Sequence, residues 1–251
     1  MKSEATRNAP AFTLIEMLAV TLCIVLVAAL LLPGLGKRRQ ASLRLQCVNN
    51  LKEIGTAYRL WLSDQGDKTP ALMDMAGGGW ANLVSNANQG TMCWTNYRLM
   101  SNELGLETKF VVCPSDERYP AANFQDDFKD NTHLSYFVGV SAYYVFPQSI
   151  QGGDRNLGDS AKPGLDYGFS PESGKGNDVA VPTNSTSVAW TLKMHSAGNP
   201  AGAGNILLGD GSAQQTSSDS FRKYWLTHAE PTGNWPPGHA PPVPSIRLVF
   251  P

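Results

Sequence analysis

Charge is scarce in this chain. Asp, Glu, Lys and Arg make up only 16% of its 251 residues and nearly cancel, leaving a formal net charge of −1. So balanced a composition gives no electrostatic basis for binding nucleic acid or an acidic substrate. Histidine is scarcer, with four residues and no H-E-x-x-H pair, which excludes the zinc-protease arrangement. Two other catalytic signatures fail narrowly. V-G-V-S-A-Y-Y around Ser141 lacks the second Gly of G-x-S-x-G. In S-P-E-S-G-K-G-N-D, Gly168 lies one residue too far from Gly174-Lys175, and Gly176 stands where a P-loop needs Ser or Thr for Mg²⁺. No internal repeat is visible. The length suits one domain with an appendage, enough to bury a core.

The longest stretch without charge runs from Met17 to Gly36, twenty residues whose single ionisable group is the thiol of Cys23. At about 1.5 Å per residue, a helix of that length matches a hydrocarbon core of roughly 30 Å and predicts one membrane span. A cleaved secretory signal is the poorer reading. The run is long, Glu16 stands near its start, and L-L-P-G-L-G-K-R-R-Q at its end lacks an A-x-A site. Glu16 itself needs a reason, because a carboxylate inside a bilayer costs roughly 2.5 kcal/mol or more and usually has a partner. Lys37, Arg38, Arg39 and Arg44 follow the run against only Lys2 and Arg7 before it, so the positive-inside rule alone would keep the following chain in the cytoplasm.

Beyond the run, Cys47, Leu51, Ile54, Tyr58 and Trp61 recur at spacings of four, three, four and three, one face of an amphipathic helix. Ser63-Asp64-Gln65-Gly66 stops it, with Gly66 suited to the left-handed closing conformation. Pro33 and Gly34 predict a kink. From Asp67 the texture changes to short β-like runs: F-V-V-C, L-S-Y-F-V-G-V-S-A-Y-Y-V-F, T-S-V-A-W-T-L and N-I-L-L-G-D-G-S-A-Q-Q, the last folded at a tight Asp210-Gly211 turn. Ser218-Asp219 can cap a short helix through Trp225. Residues 151–178, rich in Gly and Asp, read as a long surface loop, and seven prolines in the final 21 residues argue against regular structure there. Asp154, Asp159, Asp166 and Asp178 give the loop oxygens of the kind Ca²⁺ takes, without a spacing that names a site. His195 and Asp210 are weak metal candidates, the alternative being a hydrogen-bonded histidine beside a hairpin. Outside the apolar run, Cys47, Cys93 and Cys113 can form one internal bridge at most.

The stretch Phe12-Thr13-Leu14-Ile15-Glu16 resembles the N-terminal signature of type IV prepilins and the pseudopilins of type II secretion systems. A subgroup of these proteins carries motifs similar to Cys47-Val48-Asn49-Asn50-Leu51-Lys52, to Cys113-Pro114-Ser115-Asp116, and to a late His with a DG turn, here His195 and Asp210-Gly211. The resemblance implies a leader ending at Ala11, where the family usually has Gly, and a mature chain starting at methylated Phe12. It implies that Glu16 pairs during assembly with the Phe12 amine, on its own subunit or a neighbour's. A leader cut in the cytoplasm also reverses the orientation that the flanking charges suggest.

The implied fold is α+β and pilin-like: a long N-terminal helix, half in the membrane and half amphipathic, packed on a mainly antiparallel β head with long loops. The expected parts are a leader over 1–11, a transmembrane helix over 12–36, a spine helix over 37–66, a head over 67–230 and a Pro-rich tail over 231–251. Among the cysteines, the motifs favour a Cys47–Cys113 bridge, worth about 4 kcal/mol in the entropy model. Cys93–Cys113 is the alternative, and three free thiols the other. The function implied is that of a filament subunit rather than an enzyme, with no cofactor beyond the Ca²⁺ just considered. Its partners would be a prepilin peptidase, other pilin or pseudopilin subunits, the inner-membrane assembly platform and the lipid bilayer. Its location would be the bacterial inner membrane with a periplasmic head, or an extracellular filament. A membrane-anchored exported enzyme or ligand-binding domain is the alternative.

Overall fold

The computed structural model describes residues 12–81, 92–143, 145–161, 166–169, 177–196, 201–229 and 244–251, with 31–38 and 177 as backbone alone. The expected leader 1–11, with Ala11, lies outside the described residues, as do Gly174-Lys175-Gly176 and the tail up to residue 243. The chain forms two compact units, residues 1–42 and 43–251.

Helix α1 (Leu14–Asp64, 51 residues) starts in the first unit, with Glu16 of a Thr-x-x-Glu box in its first turn, and continues through Pro33 and Gly34 into the second. The expected membrane span over 12–36 is not upheld: among the described residues, no helix is long and apolar enough to cross a membrane. The expected pilin-like membrane half, and with it the transmembrane and inner-membrane reading, is therefore not supported by any helix among the described residues.

The second unit is α+β with an antiparallel sheet. Its strands are β1 (Tyr136–Gly139), β2 (Ile150–Asp154), β3 (Leu157–Asp159), β4 (Asn177–Pro182), β5 (Val188–Trp190), β6 (Ala203–Leu208), β7 (Ala213–Ser217) and β8 (Ser245–Phe250). Six of them pair in the order β4-β8-β1-β2-β6-β7, while β3 and β5 form a two-stranded ribbon. Alternating side chains send β1, β6 and β8 to two cores. Tyr136, Val138, Leu207 and Val249 join the α1 stripe Cys47, Leu51, Ile54, Tyr58 and Trp61. Phe137, Ile206, Leu208, Leu248 and Phe250 join Trp190, Phe221 and Leu226 on the opposite face. The sheet is thus buried on both sides. α1 closes at Gly66, whose φ of 61° is the left-handed conformation expected there.

Three local expectations are corrected. F-V-V-C is no strand: Thr108–Val111 is a 3₁₀ turn, and the chain then extends into Cys113. Residues 151–178 are no loop throughout, because β2 and β3 lie within them and are almost wholly buried. The C-terminal tail is not irregular to its end. β8 pairs with both β4 and β1, since after Pro244 the segment Ser245–Phe250 contains no proline to break the ladder.

Candidate functional site

Three places collect the polar chemistry of the chain. The first is the tip of α1. Glu16 Oε2 accepts from Thr13 N at 2.9 Å and from Thr13 Oγ1 at 2.8 Å, while Thr13 Oγ1 accepts from Glu16 N at 3.3 Å. This is a reciprocal capping box, in which side chains satisfy donors that the first helical turn leaves open. The hydrogen bonds from Thr13, backbone first, lower the Glu16 carboxyl below its ordinary range. The signal T-x-x-E was present in the sequence, but the capping role it encodes went unread. Phe12, Glu16 and the apolar residues after them are exposed.

The second is a buried polar centre at one end of the sheet. α1 supplies Arg44, Cys47 and Asn50, and a disulfide joins Cys47 to Cys113 across 66 residues of sequence. Asn50 Nδ2 donates to Val112 O at 2.9 Å, holding the arm that carries Cys113-Pro114-Ser115-Asp116 against the helix. Asp116 accepts two hydrogen bonds from Arg155, from Nε and Nη2, both at 2.7 Å. Both side chains of this pair are buried, and a fork-to-fork arrangement is the geometry in which a buried pair best offsets its desolvation. Arg155 Nη1 also donates to Gly168 O at 2.7 Å, and its guanidinium lies 3.6 Å from the centre of the Phe169 ring. Asn156 Nδ2 donates to Lys193 O and Ala203 O, each at 3.0 Å.

His195 is the histidine of this centre. Its Nε2 lies 3.3 Å from Cys113 Sγ and 3.3 Å from Asp154 Oδ2, with the His195 and Asp154 side chains wholly buried. Asp154 Oδ2 also accepts from the backbone N of Asn205 at 2.7 Å and from its Nδ2 at 2.9 Å. Arg44 Nη2 donates to Gly204 O at 3.1 Å; burial lowers the pKa of Arg44 and the charge of Asp154 opposes that shift. Arg118 donates to Leu134 O, and burial, with Arg155 nearby, pulls it down to about 10.

The third place is the Asp210-Gly211 turn between β6 and β7. Asp210 Oδ1 accepts from Ser212 N at 2.8 Å, and Gly211 has a φ of 77°. The turn shares a shallow hollow with Lys52, Thr56 and Arg59 of α1. His195 and Asp210, the metal candidates considered from the sequence, therefore have different hydrogen-bond partners. The acidic residues considered for Ca²⁺ are likewise dispersed. Asp154 faces Asn205 and His195, Asp159 accepts from Ala161 N at 2.9 Å, Asp166 accepts from Thr191 Oγ1 at 2.7 Å, and Asp178 pairs with Arg247.

Ser141 Oγ is buried and accepts from Arg247 N at 3.0 Å, a structural use of the hydroxyl. Cys93 is a buried free thiol, pushed up by desolvation. Sequence reasoning singled out Cys47, Cys113 and His195 but missed Arg44, Arg155, Asn156 and Asn205, and it put Asp154 in a surface loop. The signal that was available is three successive polar residues, Asp154-Arg155-Asn156, directly after a glycine pair. No family model, no curated protein and no solved structure matches this chain.

Proposed function

We propose that this chain is a structural filament subunit. On this reading it is cut after Ala11 by a prepilin-type peptidase and assembled through residues 12–30 of α1 against the same helix of neighbouring copies. The observation that carries it is the exposure of that helix all round. Phe12 is 75% exposed, Leu14 82% and Leu30 81%, and Ile15, Leu18, Leu22, Ile24 and Val25 between them are exposed as well. A helix apolar on every face is stable only when other surfaces cover it. A second copy is the occupant that also answers the charge. The new amine of Phe12 would enter beside the Glu16 carboxylate of its neighbour, in a setting from which the packed helices exclude water. The reading is assembly rather than chemistry, and the closed polar centre of the body supports that, since its groups are buried against one another.

Glu16 has two roles to separate, cap and counter-charge. Glu16→Gln keeps a side-chain oxygen for the capping box and removes the charge; Thr13→Val removes the cap hydroxyl and keeps the charge. Assembly through the Phe12 amine predicts that Glu16→Gln lowers the ratio of filament-bound to free protein by a hundredfold or so, the order expected when a buried pair is broken. Thr13→Val should leave that ratio nearly unchanged. Sheared filaments, quantified against the remaining protein, give the ratio, and mass spectrometry of the N-terminus checks the cut after Ala11. The opposite ranking of the two variants would reduce Glu16 to a helix cap.

A further inference from the structure

We propose that the dithiol form of this chain binds one thiophilic divalent cation of the zinc class through Cys47, Cys113, His195 and Asp154. The donor atoms of Cys47, Cys113 and His195 all lie within 4.8 Å of one another. Asp154 adds a carboxylate, whose Oδ2 is 3.3 Å from His195 Nε2, the same separation as from that nitrogen to Cys113 Sγ. Around a tetrahedral zinc the nitrogen-to-oxygen edge is about 3.4 Å and the nitrogen-to-sulfur edge about 3.6 Å, given bonds of roughly 2.1 Å to N and O and 2.3 Å to S. Two edges of the tetrahedron are therefore already near these lengths. Once the disulfide is opened, the sulfurs need to part to about 3.8 Å, within reach of side chains whose Cα atoms are 5.1 Å apart.

A structural disulfide by itself needs neither a histidine nor a carboxylate, and burying both costs free energy. Two atoms of the site remain without a hydrogen-bond partner among the described residues: Asp154 Oδ1 and His195 Nδ1. Two thiolates and a carboxylate would leave a net charge of −1 on a bound dication. Arg44, already coupled electrostatically to Asp154, supplies the opposite sign.

The two states exclude each other. A dithiol reductant gives two electrons and two protons to the Cys47–Cys113 bond and becomes a disulfide itself; the cation then forms two metal–sulfur bonds and releases the two thiol protons to water. The site loads when the chain is reduced and is lost when the sulfurs bond to each other. This inference is independent of the filament reading, because it concerns residues of the body alone.

The test uses the full chain carrying Cys23→Ser, which removes the exposed thiol outside the site. Reduced under anaerobic conditions and freed of reductant, it should take up one Co²⁺ per chain, with a sulfur-to-cobalt charge-transfer band and tetrahedral visible bands, and Zn²⁺ should bleach both. The oxidised chain should show neither. His195→Gln should weaken Zn²⁺ binding by roughly 10- to 100-fold or more. Zn²⁺ should also shield Cys47 and Cys113 of the reduced chain from iodoacetamide, read by peptide mass spectrometry, a result that depends on no variant folding. A reduced chain without a stoichiometric cobalt–thiolate band, equal bands in both redox forms, or Zn²⁺ that leaves Cys47 and Cys113 open to alkylation overturns the proposal.

Discussion

At the scale of single residues, the contact between α1 and the β6–β7 turn shows how little room the fold leaves. Gly55 faces the turn, where an added Cβ would stand 2.7 Å from Gly211 O and 2.9 Å from Leu207 Cδ1. Arg59 covers the other side of Gly211. Gly55→Ala therefore forces helix and turn apart, and overpacking of this kind costs about 1–3 kcal/mol. Denaturant unfolding of the variant against wild type measures it; an unchanged midpoint would mean that the helix yields freely. Asp210-Gly211 was legible as a turn because Asp and Gly suit its backbone. The demand for glycine at position 55 was not, since it comes from a partner more than 150 residues away in sequence.

At the scale of elements, β8 decides whether the sheet exists. It joins β4 to β1, so a chain ending at Pro244 leaves β4 without a partner in the sheet and exposes the edge of β1. Ile246, Leu248, Val249 and Phe250 would be lost from both cores. Such a truncation should abolish the cooperative unfolding transition of the body, read by near-ultraviolet circular dichroism; a sharp transition at the wild-type midpoint would show the sheet closing without it. The spine of α1 was readable because a helix with one buried face leaves a period near 3.6. The strands were harder, because a sheet buried on both faces erases the alternation that marks a half-buried strand. β2 hid further behind Gly152 and Gly153, the latter lying so close to the Phe137 ring that a Cβ there would come within 2.8 Å of it. The polar centre was legible only in part, because its residues converge from separate segments and local patterns carry no record of such convergence.

At the scale of the whole molecule, alkaline pH bears on the body through its buried hydroxyls. Loss of water pushes up the hydroxyls of buried Tyr58, Tyr97 and Tyr136, and raises that of Tyr167 to about 12. Each binds its proton more tightly folded than unfolded, so each contributes stability that is complete below an unfolded value near 10 and is lost as pH rises through the folded value. Arg118, pulled down to about 10 from 12.5, acts in the opposite sense, favouring the folded chain as pH climbs between those values. Arg44, also lowered by burial, acts with Arg118, and the raised thiol of Cys93 acts with the tyrosines, so five groups against two give a net fall. Denaturation midpoints should decline from about pH 10 upward, less steeply in Tyr167→Phe; a flat profile to about pH 11.5 would contradict the burial of these hydroxyls. The bond between Cys47 and Cys113 bears on a different circumstance, mechanical tension. A pull along α1 reaches residue 113 through two sulfur atoms, and the 66-residue span between the cysteines cannot be drawn out. Fully extended, that much chain would reach about 220–240 Å. Opening the bond adds that length as slack, so the redox state of one sulfur pair sets how far the protein can stretch before it lets go.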